Sequence, residues 1–194
     1  MLSEIGDYCT GYSYWTFGDV FEEMGVPFTP FHGGFGLVAN YGIPKPTYWT
    51  FLFYKSLKGQ CVYRDENLVI VKKENGTLAG IAWNVTRETS REKMEFNIQL
   101  PLQDGHYSLL KKTVDENVCN PLKVWHDIGE PQSLDKAQAE LLRDAAKPLI
   151  TTERLHVAEG RADASIEVLK NGVVYFEIGR VEGESDRGYE FLLD

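Results

Sequence analysis

The chain has 194 residues, of which 43% are hydrophobic and 12% aromatic, so it is long enough to bury one large core or two smaller ones. Its formal net charge is −9 and its pI is near 5.0, and the 20 basic residues are scattered along the chain. This charge argues against nucleic acid and anionic membrane surfaces as partners, because both would be repelled.

The three cysteines, Cys9, Cys61 and Cys119, are an odd number at wide spacing and form no C-x-x-C pattern. We therefore expect buried thiols in a reducing compartment, with no disulfide framework, no metal site and no cofactor. No apolar run reaches about 18 residues, so no membrane span is expected. The start, MLSEIGDYC, lacks the basic cluster and apolar stretch of a signal peptide, which favours a cytoplasmic location.

The first part of the chain combines an aromatic strand, a long loop and a helix. Residues 3–8 are typical of the polar end of a helix, and TGYSYWTFG over 10–18 predicts a strand of aromatic and hydroxyl side chains. Residues 19–36 have no period of 2 or 3.6, which indicates a long loop of the functional kind. A helix is predicted over 46–58 because its apolar residues recur at helical spacing: Tyr48, Phe51, Leu52 and Leu57.

After residue 59 the pattern changes to the alternation that is typical of strands. CVYRDENLVIVKK and TLAGIAWNV predict a hairpin with Asn75-Gly76 as a type I′ turn, and a second such turn at Asn171-Gly172 joins the last two strands. Residues 133–147 predict a short helix with Ser133 as N-cap and one apolar side: Leu134, Ala137, Leu141 and Ala145. We therefore predict a mainly β chain with a β-sandwich from about residue 60 onward.

Side chains near the aromatic strand indicate a monosaccharide pocket. Trp15 could offer a flat indole face to a sugar ring, and Glu22 and Glu23 could accept hydrogen bonds from sugar hydroxyls. The alternatives are a packed core tryptophan and two solvated loop acids, with Asp19 as a local turn former. Adjacent glutamates are poorly placed as a catalytic pair, because a retaining glycosidase holds its carboxyls about 5–5.5 Å apart, usually from different strands.

Other candidate residues are better explained by structure than by chemistry. His32 in FHGGFG has no nucleophile at a motif spacing, so we expect a structural histidine. Its neighbouring glycines do not fit a phosphate loop and are expected to permit a tight backbone path: Gly33, Gly34 and Gly36. Asp115 and Glu116 are expected to fix a turn between strands. The remaining histidines are isolated from one another in sequence, so no metal cluster is expected among them: His106, His126 and His156.

The stretches YSYWTFGDVFEEMGVP and FHGGFGLVANYGIPKPTYWTF resemble the C-terminal part of glycoside hydrolase family 39, the β-xylosidase family. VDENVCNPLKVWHDIGEPQSLDKAQAELL and NGVVYFEI are similar to that family's C-terminal β-sandwich, so the resemblance covers nearly the whole chain. It implies that residues 1–58 are the last β/α unit of a (β/α)8 barrel: the end of helix 7, strand 8, an active-site loop and helix 8. It implies that residues 59–194 form a jelly-roll-like accessory sandwich.

The resemblance also implies a function. The complete protein would hydrolyse β-xylosides or a related glycoside with retention. The family's acid/base glutamate follows strand four in an Asn-Glu-Pro motif and its nucleophile ends strand seven, and this chain contains no N-E-P. Trp15 resembles the family's stacking tryptophan, and Glu22 or Glu23 resembles its acceptor for sugar hydroxyls. We therefore expect a fragment that binds a xylose-type sugar or xylo-oligosaccharide weakly and is inactive alone.

The sequence also permits two other functions and predicts that the chain self-associates. The chain could be a non-catalytic carbohydrate-binding or interaction module, or part of a sugar-responsive transcription regulator. We expect self-association through residues 10–40, because a barrel strand without its neighbours exposes two edges and its aromatic faces.

Overall fold

The computed structural model describes residues 7–20, 25, 27–86 and 92–182. Within these ranges the chain forms ten strands, three α-helices and one short 3-10 helix, Asn40–Gly42. Their bounds, in chain order, are β1 Val38–Ala39, β2 Ile43–Pro44, α1 Pro46–Ser56, β3 Gln60–Arg64, β4 Leu68–Lys72, β5 Leu78–Asn84, β6 Lys93–Pro101, β7 Gly105–Val114, α2 Pro121–Asp127, α3 Lys136–Ala145, β8 Leu149–Val157, β9 Arg161–Leu169 and β10 Gly172–Arg180.

Two antiparallel sheets pack face to face, which confirms the predicted mainly β sandwich. The larger sheet has six strands in the order β3-β4-β5-β10-β7-β8, and the smaller pairs β6 with β9. Apolar side chains from both sheets fill the space between them, because alternate residues of a strand point to the same face. The most buried of them include Leu109, Ile166, Val168, Val174, Phe176 and Ile178.

Part of the opposite face of the six-stranded sheet is covered by α1, whose predicted existence is confirmed. Pro46 begins the helix, where its missing N–H is tolerated. Phe53 is buried and its ring stacks on Tyr175 of β10, with ring centres 5.4 Å apart. Phe51, one of the residues from which the helix was predicted, packs on the rings of Tyr12 and Tyr14, whereas the buried Phe53 was not among those residues.

Helices α2 and α3 pack on β1 and β2 around Trp125 and Leu142. The sequence did not predict α2, which is a single short helix starting after Asn120. The predicted N-cap of α3 was wrong: Asp135 caps it, since its carboxylate accepts from the Gln138 N–H at 2.8 Å in a capping box. Within the helix the predicted apolar side was wrong, because the buried residues are Ala139 and Leu142 and Leu141 is exposed, although Leu134 just before the helix packs on the same core.

The aromatic segment, defined as residues 10–18, does not form the predicted strand. Among the described residues, its one bridge is Gly18 with Val38, in parallel orientation. A strand needs a neighbour along its length, and the backbone of this segment bonds to another segment only near its C-terminal end. The expected helix end over residues 3–8 lies largely outside the described residues.

The two predicted Asn-Gly turns exist, but neither has the predicted form. At the β4–β5 hairpin, Gly76 has φ +82° while Asn75 is not among the described residues with positive φ, so the turn is not type I′. There the Gly76 N–H donates to the Lys73 carbonyl at 3.0 Å. At Asn171, φ is 56°, but β9 and β10 lie in different sheets and therefore form no hairpin.

The predicted burial of the cysteines holds for one of the three. Cys119 is buried, whereas Cys9 and Cys61 are exposed. Cys119 can be enclosed because it lies between the sheet and the α2–α3 unit, where its thiol donates to the Ala146 carbonyl at 3.0 Å. No helix in the described ranges is both long and apolar enough to cross a bilayer.

Candidate functional site

Three backbone hydrogen bonds join residues 16–19, at the end of the aromatic segment, to residues 37 and 38. Leu37 N–H donates to the Thr16 carbonyl at 3.1 Å, and Val38 N–H donates to the Phe17 carbonyl at 2.9 Å. The Asp19 N–H in turn donates to the Val38 carbonyl at 2.9 Å. The peptide bond between residues 15 and 16 is cis. The three hydrogen bonds fix where the loop after the segment begins.

The two sides of the aromatic segment have different surroundings. Tyr12 and Tyr14 contact the Phe51 ring of α1, with ring centres 6.2 and 5.2 Å apart. Trp15 and Phe17 are each 67% exposed. The segment therefore has one side packed on a helix and another that presents aromatic surface outward.

A buried ion pair anchors the start of the long loop. The Asp19 side chain is fully buried, and its Oδ2 lies 2.6 Å from Lys45 Nζ. Its Oδ1 accepts from Lys45 Nζ at 2.8 Å and from the Gly36 N–H at 2.7 Å. Lys45 Nζ also donates to the Gly34 carbonyl at 2.6 Å. Because Lys45 is the residue just before α1, this network joins the aromatic segment, the glycine-rich loop and the helix.

The glycines of FHGGFG permit this network, which confirms the prediction of a tight backbone path. A Cβ at Gly36 would lie 2.5 Å from the Gly18 carbonyl carbon and 2.6 Å from the Asp19 nitrogen. A Cβ at Gly34 would lie 2.8 Å from Asp19 Oδ1. Neither position can therefore accept a side chain without moving the loop away from Asp19.

Asn40 holds the later part of the loop, and the next residue, Tyr41, is bonded to α3. Asn40 Nδ2 donates to the carbonyls of Pro27 and Thr29 at 2.8 and 3.0 Å. Arg143 Nη1 donates to the Tyr41 carbonyl at 2.9 Å. A shallow hollow of about 290 Å³ lies beside these contacts, lined by Pro27, Phe28, Asn40 and Tyr41. Trp15 does not line it.

Of the three predicted sugar-binding residues, only Trp15 lies among the described residues. Trp15 is exposed, so a packed core tryptophan is not what the described residues show. Glu22 and Glu23 lie outside the described residues. Asp19, expected as a local turn former, lies in a turn, and its side chain is also one half of the buried ion pair. The role of Lys45 was not predicted, because no local pattern links this residue to a partner 26 residues away.

His32 and Asp115 make contacts that are typical of structural residues. His32 lies beside Gly34, whose added Cβ would come within 2.9 Å of the imidazole Cε1. Asp115 fixes a turn, as predicted, by accepting from the N–H groups of Asn117 and Val118, although the turn leads from β7 into α2. No group of three or more His, Cys, Asp or Glu side chains in the described chain is arranged to hold a metal ion.

Comparison with known proteins gives consistent matches. Residues 1–163 match the model of glycosyl hydrolases family 39. A β-xylosidase from Geobacillus stearothermophilus is 37% identical over 186 residues, which are 95% of this chain and 37% of that protein. A β-xylosidase from Caldicellulosiruptor saccharolyticus is 33% identical over 143 residues, covering 70% of this chain and 29% of that protein.

The fold has a solved counterpart in the same family. The crystal structure of the GH39 enzyme from Xanthomonas axonopodis pv. citri superimposes with a TM-score of 0.81 at 27% identity, covering 93% of this chain and 39% of that one. The chain thus spans well under half the length of the relatives that it matches. These matches give no support to the alternatives of a non-catalytic module or part of a transcription regulator.

Proposed function

Because the chain belongs to family 39 of the glycosyl hydrolases, we propose that it is the C-terminal part of a retaining β-xylosidase-like enzyme. In this proposal residues 1–58 complete a (β/α)8 barrel, with the aromatic segment as its eighth strand and α1 as its eighth helix. Residues 59–194 are the accessory sandwich. The limited share of each relative's length that the chain covers supports this, since a barrel needs about 250 residues.

The observation that carries the proposal is the two-sided packing of the aromatic segment. In a (β/α)8 barrel each strand packs its outer side chains on the helices and turns the others inward. Tyr12 and Tyr14 meet α1, while Trp15 and Phe17 are exposed on this chain. The exposed pair would face the barrel interior and its rim in the complete protein.

In the proposed site this chain binds sugar and does not cleave it. Trp15 stacks on a xylose-type ring, and Glu22 or Glu23 accepts hydrogen bonds from its hydroxyls. Catalytic residues of such barrels lie at the C-terminal ends of strands, which is where the loop after Phe17 begins. The ion pair between Asp19 and Lys45 holds the first turn of that loop in place.

Bond cleavage requires residues that this proposal assigns to the rest of the barrel. Retention needs a carboxylate nucleophile and a carboxylic acid about 5–5.5 Å apart, on different strands. The family's Asn-Glu-Pro motif is absent from these 194 residues. We therefore propose that the chain by itself is inactive and keeps one wall of the sugar site.

Calorimetric titration with xylose and xylo-oligosaccharides tests this assignment. We expect weak saturable binding by the chain and its loss in Trp15→Ala. Tyr63→Ala is the matched control, because Tyr63 is an exposed aromatic residue of β3 in the sandwich. Equal binding by Trp15→Ala and the wild type would contradict the proposed role of Trp15. No binding at millimolar sugar would favour a scaffold role.

We also propose that the chain self-associates through residues 10–40. Exposed apolar side chains are concentrated there, including Tyr12, Trp15, Phe17, Phe28 and Phe35. Large exposed apolar surfaces mark interaction sites, and in the complete protein the partner of these side chains would be the rest of the barrel.

A further inference from the structure

Two histidines that are far apart in sequence meet on the surface of the sandwich, away from the proposed sugar site. His106 of β7 and His156 of β8 are directly paired across the two strands. Their ring centres are 5.0 Å apart, and both side chains are exposed. Their strand neighbours Tyr107 and Val157 are buried in the sandwich core, so the histidines lie on the outer face of the six-stranded sheet.

The backbone hydrogen bonds explain why the two rings are close. The His106 carbonyl accepts from the Val181 N–H at 2.9 Å, so its main-chain polar groups point toward β10. His106 and His156 therefore form a non-hydrogen-bonded pair, the type in which facing Cα atoms are only about 4.5 Å apart. The strand pairing itself therefore brings the two rings together.

We propose that His106 and His156 form a binding site for a borderline transition-metal cation such as Zn²⁺, Ni²⁺ or Cu²⁺. Neutral imidazole is a preferred ligand for these ions, whereas Ca²⁺ and Mg²⁺ prefer oxygen ligands. A tetrahedral Zn²⁺ at about 2.0–2.1 Å from one nitrogen of each ring would hold the ring centres roughly 5 Å apart. The spacing of the pair meets this requirement, and water would complete the coordination.

The site has two protein ligands, which leaves coordination positions open. It is therefore an exchangeable surface site, in contrast to a closed structural site with four protein ligands. Strand pairing explains why the sequence alone, in which these histidines look isolated, gives no sign of it.

Titration of the full chain with ZnCl2, followed by calorimetry, tests the proposal. We expect one saturable site per chain whose affinity falls roughly tenfold or more in His106→Gln and in His156→Gln. His126→Gln is the matched control, because His126 is an exposed histidine of α2 paired with Glu130 and should not affect this site. Thermal unfolding without metal checks that each variant folds like the wild type.

Three results would overturn the proposal. The first is Zn²⁺ binding that is unchanged in both strand variants. The second is loss of binding in His126→Gln alone. The third is wild-type binding weaker than about 1 mM, which would reduce the pair to a chance contact of two surface rings.

Discussion

Asp19 and Lys45 form an ion pair at 2.6 Å that joins the end of the aromatic segment to the residue before α1. The Asp19 side chain is fully buried and Lys45 is 19% exposed. Removing one partner of such a pair leaves the other charge without compensation in a poorly solvated place. We expect Asp19→Asn and Lys45→Met each to lower the free energy of unfolding by about 3 kcal/mol, with partial recovery in the double variant.

Urea unfolding measures this loss of stability as a lower denaturation midpoint, while the dependence of the unfolding free energy on urea concentration stays unchanged. Lys123→Met is the control, because the Lys123–Asp127 pair is more than half exposed on both sides and should contribute little. Equal small effects for the buried and the exposed pair would contradict the anchoring role of Asp19.

Gly36→Ala should loosen the loop that carries the proposed sugar-binding residues. The new methyl group would meet the Gly18 and Asp19 backbone at about 2.5 Å, so the loop must move away and lose its bond to Asp19. We expect a loss of about 1–3 kcal/mol in unfolding free energy. Gly11→Ala, where a Cβ has open space, should be nearly neutral in the same thermal or urea unfolding experiment. Similar effects at both glycines would count against the packing argument.

Gly80→Ala should disrupt the sandwich core through Phe176. The two residues face each other across β5 and β10, and a Cβ at Gly80 would lie 2.6 Å from Cε1 of the buried ring. We expect a loss of roughly 2 kcal/mol or more, because overpacking a rigid core costs about 1–3 kcal/mol. In the background of Phe176→Leu the same substitution should cost clearly less. Additive effects of the two substitutions in a double-mutant cycle would contradict the direct clash.

The stability of the chain should fall at alkaline pH through Cys119. Burial, and then the nearby Asp115 carboxylate, raise the pKa of the Cys119 thiol from 9.0 to about 12. The neutral thiol is thus favoured by folding, so its stabilisation is complete below pH 9 and is lost as the pH rises toward 12. At pH 10 the loss should be about 1 kcal/mol.

The measurement compares the unfolding free energies of the wild type and Cys119→Ala at pH 7 and pH 10. The cavity left by the substitution is present at both pH values. Only ionisation of the Cys119 thiol therefore changes the difference in unfolding free energy between the two proteins. That difference should narrow at pH 10. A difference that is the same at both values would show that the buried thiol does not titrate as expected.

Multi-angle light scattering at high protein concentration should detect oligomers of the wild type. Trp15→Ser combined with Phe17→Ser should shift the population toward monomer, because it removes two exposed aromatic side chains from the proposed contact surface. Val62→Ser, at an exposed position on β3, is the control. A wild-type chain that stays monomeric would argue against self-association through residues 10–40.

Local periodicity was enough to predict α1 and the two strands on either side of the Asn75-Gly76 turn, because 3.6-residue and two-residue patterns reflect which faces become buried. It could not predict how the strands pair. β9 and β10 are adjacent in sequence and separated by an Asn-Gly turn, yet they lie in different sheets. The side of α3 was also misjudged, since small residues such as Ala139 and Ala146 are buried there instead of Leu141.

The candidate site was predictable where one residue type indicates the local backbone path, as glycine does. The glycines beside His32 indicated a tight path, and the structure shows what they approach. The Asp19–Lys45 pair was not predictable, because ion pairs between distant segments depend on tertiary packing alone. The contact between His106 and His156 was not predictable for the same reason, because it depends on the pairing of β7 with β8.

Hydrolysis of an aryl β-xyloside by the purified 194-residue chain is the most direct test of the central proposal, which gives this chain one wall of the sugar site and no reacting carboxylates. We expect no turnover above the uncatalysed rate, although xylose-type sugars still bind. Turnover by the chain that disappears in Glu22→Gln or Glu23→Gln, with the fold intact, would contradict the proposal, because it would make these glutamates catalytic.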